Sequence, residues 1–114
     1  IYSLDLIASL QREGHPMTAG AAGENLTVSG VEWSLLVPGC DVYVGDVVLS
    51  VTGYASPCEN IRRSFKDENF TRISQKVHPG WSRIYCRVLV PGTIRPGDPV
   101  RVSRVPSTEA RAPD

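Results

Sequence analysis

The sequence has no excess of charge of either sign: twelve Lys and Arg residues balance twelve Asp and Glu residues over 114 positions. A free-standing nucleic-acid binder shows a basic excess, so that class is disfavoured and no nucleic-acid partner is expected. No apolar run approaches the about 18 residues that a membrane-spanning helix needs, which argues against a membrane partner. No secretory signal is visible. Cysteine is scarce, with Cys40, Cys58 and Cys86 in an odd count. Their spacings match neither a zinc ribbon nor a disulfide framework, so reduced thiols in a cytoplasmic protein are expected. Two Asn-x-Thr triplets, at Asn25 and Asn69, would be glycosylation acceptors only in a secreted chain and are read as chance. The length allows one domain with a single modest core. The chain begins at Ile1 rather than Met, which reads as a fragment or a processed chain.

Among the residues present, Leu4, Ile7 and Ala8 fall on one face of a first helix, with Asp5, Ser9 and Arg12 on another. Gly14 stands where a helix C-cap needs positive φ. A Gly-, Ala- and Pro-rich loop from His15 to Gly23 leads to a short strand, Asn25 to Val28. The middle is β-rich. Val42 to Val44 and Val47 to Thr52 flank Gly45-Asp46, a pair suited to a type II′ hairpin turn. Val47, Leu49 and Val51 should share one face. A later strand from Ile84 should point Ile84, Cys86, Val88 and Val90 inward, with Tyr85 and Arg87 outward. Val100 to Ser103 alternates again, and Pro106 to Asp114 reads as a loose tail.

Two helices are expected between the strands. Ser56-Pro57-Cys58-Glu59 reads as a capping box that places Pro57 first and Cys58 second in a helix carrying Ile61 and Phe65. A second helix should align Phe70, Ile73 and Val77 and end before Pro79. At that position the Cys58 sulfur would lie near unpaired N–H groups and the positive end of the helix dipole, which favour thiolate. Arg62 and Arg63 follow within about one turn. A thiolate attacks electrophiles, carries sulfane sulfur or binds a soft metal; a buried cysteine merely packs. Position alone leaves both accounts open.

Between Glu59 and Arg87 lie Arg62, Arg63, Lys66, Arg72, Lys76, Arg83 and Arg87 against three acids, Glu59, Asp67 and Glu68. Arg72 and Lys76, four apart, should share a helix face. Such a basic surface suits a small phosphorylated ligand, while solvated helix faces are the plainer account of each residue. Cys86 reads as core and Cys40 as incidental. His15 and His78 read as surface histidines. Glu24-Asn25 could line a pocket, although the local sequence alone reads as a turn leading into a strand.

Together, Gly23-Glu24-Asn25-Leu26-Thr27-Val28, Pro38-Gly39 through Gly45-Asp46, Tyr54 to Cys58, Phe70 to Lys76, His78 to Arg83 and Val90 through Val100 resemble the MOSC family in order and spacing. This is the domain related to the C-terminal part of molybdenum-cofactor sulfurases, here of the bacterial stand-alone type. The resemblance covers about Tyr2 to Val102. It implies a mainly β fold, a β-barrel like that of pyruvate kinase with short peripheral helices. Members usually carry further strands upstream, so residues 1–105 are expected to form an N-terminally incomplete domain and 106–114 a flexible tail. Unpaired sheet edges would then favour a homodimer.

The resemblance further implies the molybdenum cofactor (molybdopterin). Cys58 matches the family's cysteine and is the expected catalytic residue and metal ligand. Glu24 and Asn25 match its pocket signature. Arg62, Arg63, Arg72, Lys76 and Arg83 are cofactor-binding candidates on charge alone. The implied activity is reduction of N-hydroxylated compounds, with an electron-transfer protein as partner. The alternatives are a sulfur carrier using a Cys58 persulfide, served by a separate sulfur-donor protein, and a non-catalytic β-barrel interaction module.

Overall fold

A computed structural model describes residues 1–103. The expected tail from Pro106 lies outside the described residues. The described residues form two compact units, residues 1–30 with 54–83 and residues 31–53 with 84–103.

The first unit opens with strand β1 (Tyr2–Ser3), helix α1 (Leu4–Arg12) and strand β2 (Thr27–Val28). Ser3 caps α1 by accepting from the Leu6 N–H at 3.1 Å, and Asp5 sits favourably in the first turn. Gly14, at φ +97, closes the helix: its N–H donates to Gln11 O, and the His15 N–H donates to Leu10 O. This is the Schellman arrangement, and it needs the left-handed conformation that glycine supplies. Ile7 and Leu10 are the buried residues of α1, whereas Leu4 is exposed, so the apolar stripe lies one turn later than the sequence pattern placed it. β1 runs parallel to β2, pairing Tyr2 with Thr27 and Ser3 with Val28.

The helices expected between Pro57 and His78 are short 3₁₀ turns, at Glu59–Ser64, Lys66–Glu68 and Phe70–Ile73. Their backbone bonds span three residues, as in Ile61 N–H to Cys58 O and Phe65 N–H to Arg62 O. Asp67 and Glu68 take positive φ, which interrupts any continuous helix. Ile61, Phe65 and Ile73 are buried as the apolar pattern required, but Val77 is exposed. With the last of these turns ending at Ile73, Arg72 and Lys76 do not share a helix face.

The second unit holds a 3₁₀ turn at Trp33–Leu35 and a sheet of β3 (Asp41–Val44), β4 (Val47–Ala55), β5 (Arg83–Val90) and β6 (Val100–Ser103). The last two residues of β4 and the first of β5 belong to the first unit. The order is β5-β4-β3-β6, with β3 antiparallel to β4 and to β6. Val44 pairs with Val47, leaving Gly45-Asp46 as the two-residue turn. Gly45 takes φ +54 and Asp46 does not share a positive φ, which matches type II′ rather than I′.

Val42, Val44, Val47, Leu49 and Val51 are buried, as the alternation demands, but Val48 on the opposite face is buried as well. On β5 the expected inward face holds only at Ile84; Cys86 is half-buried, and Val88 and Val90 are exposed. β5 is an edge strand, with no second neighbour among the described residues. The architecture is mainly β with few helices. Among the described residues the sheet has two distinct edges, and no closed barrel is formed.

Candidate functional site

The first unit gathers charge around Tyr2. This side chain is fully buried, and its hydroxyl donates to the Trp81 carbonyl at 2.8 Å. Burial pushes the Tyr2 hydroxyl well above its ordinary range, against the opposing pull of Arg72 and then Arg83, while Glu24 adds to the rise. Glu24, Arg72 and Arg83 are three of the residues singled out from the sequence, and they share this neighbourhood.

Arg72 lies over the Trp81 ring, its guanidinium carbon 3.9 Å from the ring centroid. Its Nε and Nη2 donate to Glu13 Oε1 and Oε2 at 2.8 and 2.7 Å, a fork-to-fork pair. These hydrogen bonds hold the Glu13 carboxyl below its ordinary value. Glu13 Oε1 also lies 3.4 Å from His15 Nε2. His15 is buried rather than at the surface. Its Nδ1 accepts the Lys66 N–H at 2.9 Å, and its ring meets Phe65 edge-on.

Arg83 joins two backbone segments. Its Nη1 donates to Ala22 O at 2.7 Å and its Nη2 to Ser56 O at 3.0 Å. Ala22 belongs to the loop that precedes Glu24, where Gly20 and Gly23 both take positive φ. Ser56 lies two residues before Cys58. Ser82 reinforces the same corner by donating to Ala55 O and Arg83 O. Arg83 Nε, Arg72 Nη1 and Glu24 Oε1 are buried without a partner among the described residues. Buried polar atoms are seldom left unmatched, so two donors and an acceptor leave hydrogen-bonding capacity unused in this cluster.

Cys58 is exposed and is a free thiol. It is extended, at φ −143 and ψ 175, and forms the N-cap of the turn at Glu59–Ser64 instead of the second residue of a helix. The capping box is therefore not formed: the turn begins two residues late, and no side chain caps it. A six-residue 3₁₀ turn aligns few peptide dipoles, so accessibility, not a helix dipole, is what the fold supplies to this sulfur.

The remaining candidates are more dispersed. Glu24 Oε2 accepts from the Thr27 hydroxyl at 3.1 Å, and Asn25 is exposed. Arg62 pairs with Glu68 at 3.3 Å and donates to the Glu59 carbonyl. Arg63 and Lys76 are exposed, with no ion pair among the described residues. The sequence carried no signal for Glu13, Trp81 and the buried His15 as members of this cluster. Glu13 and Arg72 are 59 residues apart, and only folding unites them. Cys40 and Cys86, in the second unit, are both shifted upward by burial, Cys86 to about 11.

The MOSC domain family model matches residues 1–101 of the chain. The crystal structure of YiiM from Geobacillus stearothermophilus aligns with a TM-score of 0.67 and 26% sequence identity. The alignment covers 96% of this chain and 58% of that protein, so the chain spans less than two thirds of its length. No curated protein matches the chain. Among the described residues no helix is long and apolar enough to cross a membrane, and no three His, Cys, Asp or Glu side chains gather into a metal cage.

Proposed function

Because this chain belongs to the MOSC domain family, we propose that it binds the molybdenum cofactor through Cys58 and reduces N-hydroxylated compounds. The observation that carries the reading is an exposed thiol two residues from a backbone carbonyl held by Arg83, whose own Nε is buried and unsatisfied.

The residues fit the group. A bare ion would find no cage of three ligands among the described side chains, whereas a metal that arrives already chelated by an organic ligand needs only one soft protein donor. Cys58 is that donor, and it must give up its proton to serve. Arg83 and the exposed Arg63 and Lys76 would hold the phosphate, because phosphate accepts charge-assisted hydrogen bonds best from such cations. Arg62 and Arg72 already neutralise Glu68 and Glu13, so they contribute mainly by shaping the site. Glu24 and Asn25 would meet polar edges of the cofactor. When bound, the molybdenum group supplies two-electron redox chemistry and a centre that takes oxygen from an N–O bond.

The exposure of Cys58 also favours a second reading, a sulfur carrier. Its thiolate would attack the outer sulfur of a donor persulfide, forming a Cys58 S–S bond and releasing the donor's thiolate. Three free cysteines support placing the protein in the cytoplasm.

Expression in a molybdopterin-producing host, followed by metal analysis, tests the first reading. Stoichiometric molybdenum in the wild type and its loss in Cys58→Ala are expected. Metal-free protein in both cases would refute it, and intact mass after incubation with a desulfurase and cysteine would reveal a persulfide on Cys58.

A further inference from the structure

The side edge of an arginine, Nε with Nη2, is the face that grips two oxygens of one oxyanion. Arg72 shows this in the first unit, where that edge holds both carboxylate oxygens of Glu13 at 2.8 and 2.7 Å. On Arg83 the same edge is half used. Nη2 donates to the single Ser56 carbonyl at 3.0 Å, and Nε is buried with no partner among the described residues. Nη1, on the other side of the guanidinium, is engaged separately and more tightly with Ala22 O at 2.7 Å.

We propose that Arg83 is an oxyanion-responsive positioning residue: an oxyanion taken up on its Nε–Nη2 edge displaces the Ser56 carbonyl and frees the backbone leading to Cys58. The exchange replaces one neutral acceptor with two charged ones and gives Nε a partner, so it favours the anion. The bond to Ala22 O survives it, so the arginine stays anchored on the glycine-rich loop while the cysteine segment is let go. Ser56 is exposed and Cys58 is extended, so the movement is confined to residues 56–58, between the Ala55 carbonyl held by Ser82 and the Cys58 carbonyl that accepts the Ile61 N–H. The inference rests on Cys58 being the working thiol, and it assigns that thiol a state controlled by anion arrival.

The test uses the metal-free 114-residue chain and the rate at which iodoacetamide labels Cys58, followed by peptide mass spectrometry to separate it from Cys40 and Cys86. Inorganic phosphate, against chloride at matched ionic strength, should raise the rate about tenfold, the factor that corresponds to about 1.4 kcal/mol. Arg83→Gln should label fast with or without phosphate. Arg83→Lys, which keeps the charge but has no two-nitrogen edge, should also lose the phosphate response. A wild-type rate indifferent to phosphate, or an unchanged response in Arg83→Gln or Arg83→Lys, overturns the proposal. Because no molybdenum is involved, wild-type protein that stays metal-free in a molybdopterin-producing host would refute the cofactor reading while leaving this result standing.

Discussion

Replacing Arg72 with methionine removes a bidentate ion pair and a cation–π contact while keeping an unbranched side chain against Trp81. The Arg72 side chain is 16% exposed and Glu13 is 40% exposed. A solvent-exposed pair contributes about 0–1 kcal/mol, and the two-bond geometry with a mostly buried guanidinium puts this one near the upper end, about 1 kcal/mol. Stacking at 3.9 Å on the half-buried Trp81 ring adds about 1 kcal/mol more. Arg72→Met should therefore cost about 2 kcal/mol, which lowers the urea midpoint by roughly 1 M at an m-value of about 2 kcal/mol/M.

The cycle with Glu13→Gln separates the two parts. The single Glu13 variant should cost about 1 kcal/mol, with a coupling of similar size to Arg72→Met. Acid supplies a second check. The folded Glu13 carboxyl lies below its ordinary 4.5, because Arg72 donates to it. Its contribution is thus complete above about pH 4.5 and is lost as pH falls through the depressed folded value. Arg72→Met should flatten that acid limb. A coupling under about 0.3 kcal/mol, within ordinary additivity error, would show that the fork contributes nothing and refute the reasoning.

Two further outcomes follow from the second unit. In Gly45→Ala, the new Cβ would lie 2.6 Å from Asp98 Oδ2 at a φ of +54, so stability should fall by about 1–3 kcal/mol, read as a lower urea midpoint; an unchanged midpoint would mean that Asp98 yields freely. Cys86, held near 11 chiefly by burial, favours the folded state fully below its ordinary value of 9.0 and loses that advantage as pH rises toward 11. A Cys86→Ser variant should show a weaker loss of stability over that alkaline range, and equal slopes in both proteins would contradict the shift.

Local rules decided a good part of this molecule in the sequence itself. The hairpin at Gly45-Asp46, the α1 stop at Gly14 and the buried faces of β3 and β4 depend on backbone conformations and a two-residue period, which neighbouring residues set on their own. The spaced signatures around Glu24, Cys58 and Gly97 likewise identified the family that the match over residues 1–101 shows. What failed depended on distant partners. The pattern from Pro57 to His78 looked helical because Ile61, Phe65 and Ile73 had to be buried, yet tertiary bonds captured that stretch as 3₁₀ turns, with the Lys66 N–H given to His15.

The tertiary structure also chose among the cations. Seven Arg and Lys residues between Glu59 and Arg87 were equivalent as sequence. Folding commits Arg72 to Glu13 and Trp81, commits Arg62 to Glu68, and leaves Arg83 clasping two carbonyls with one donor unmatched. Charge belongs to the residue, but whether that charge is already spent depends on neighbours from six to 61 positions away, and only the folded chain brings those neighbours together.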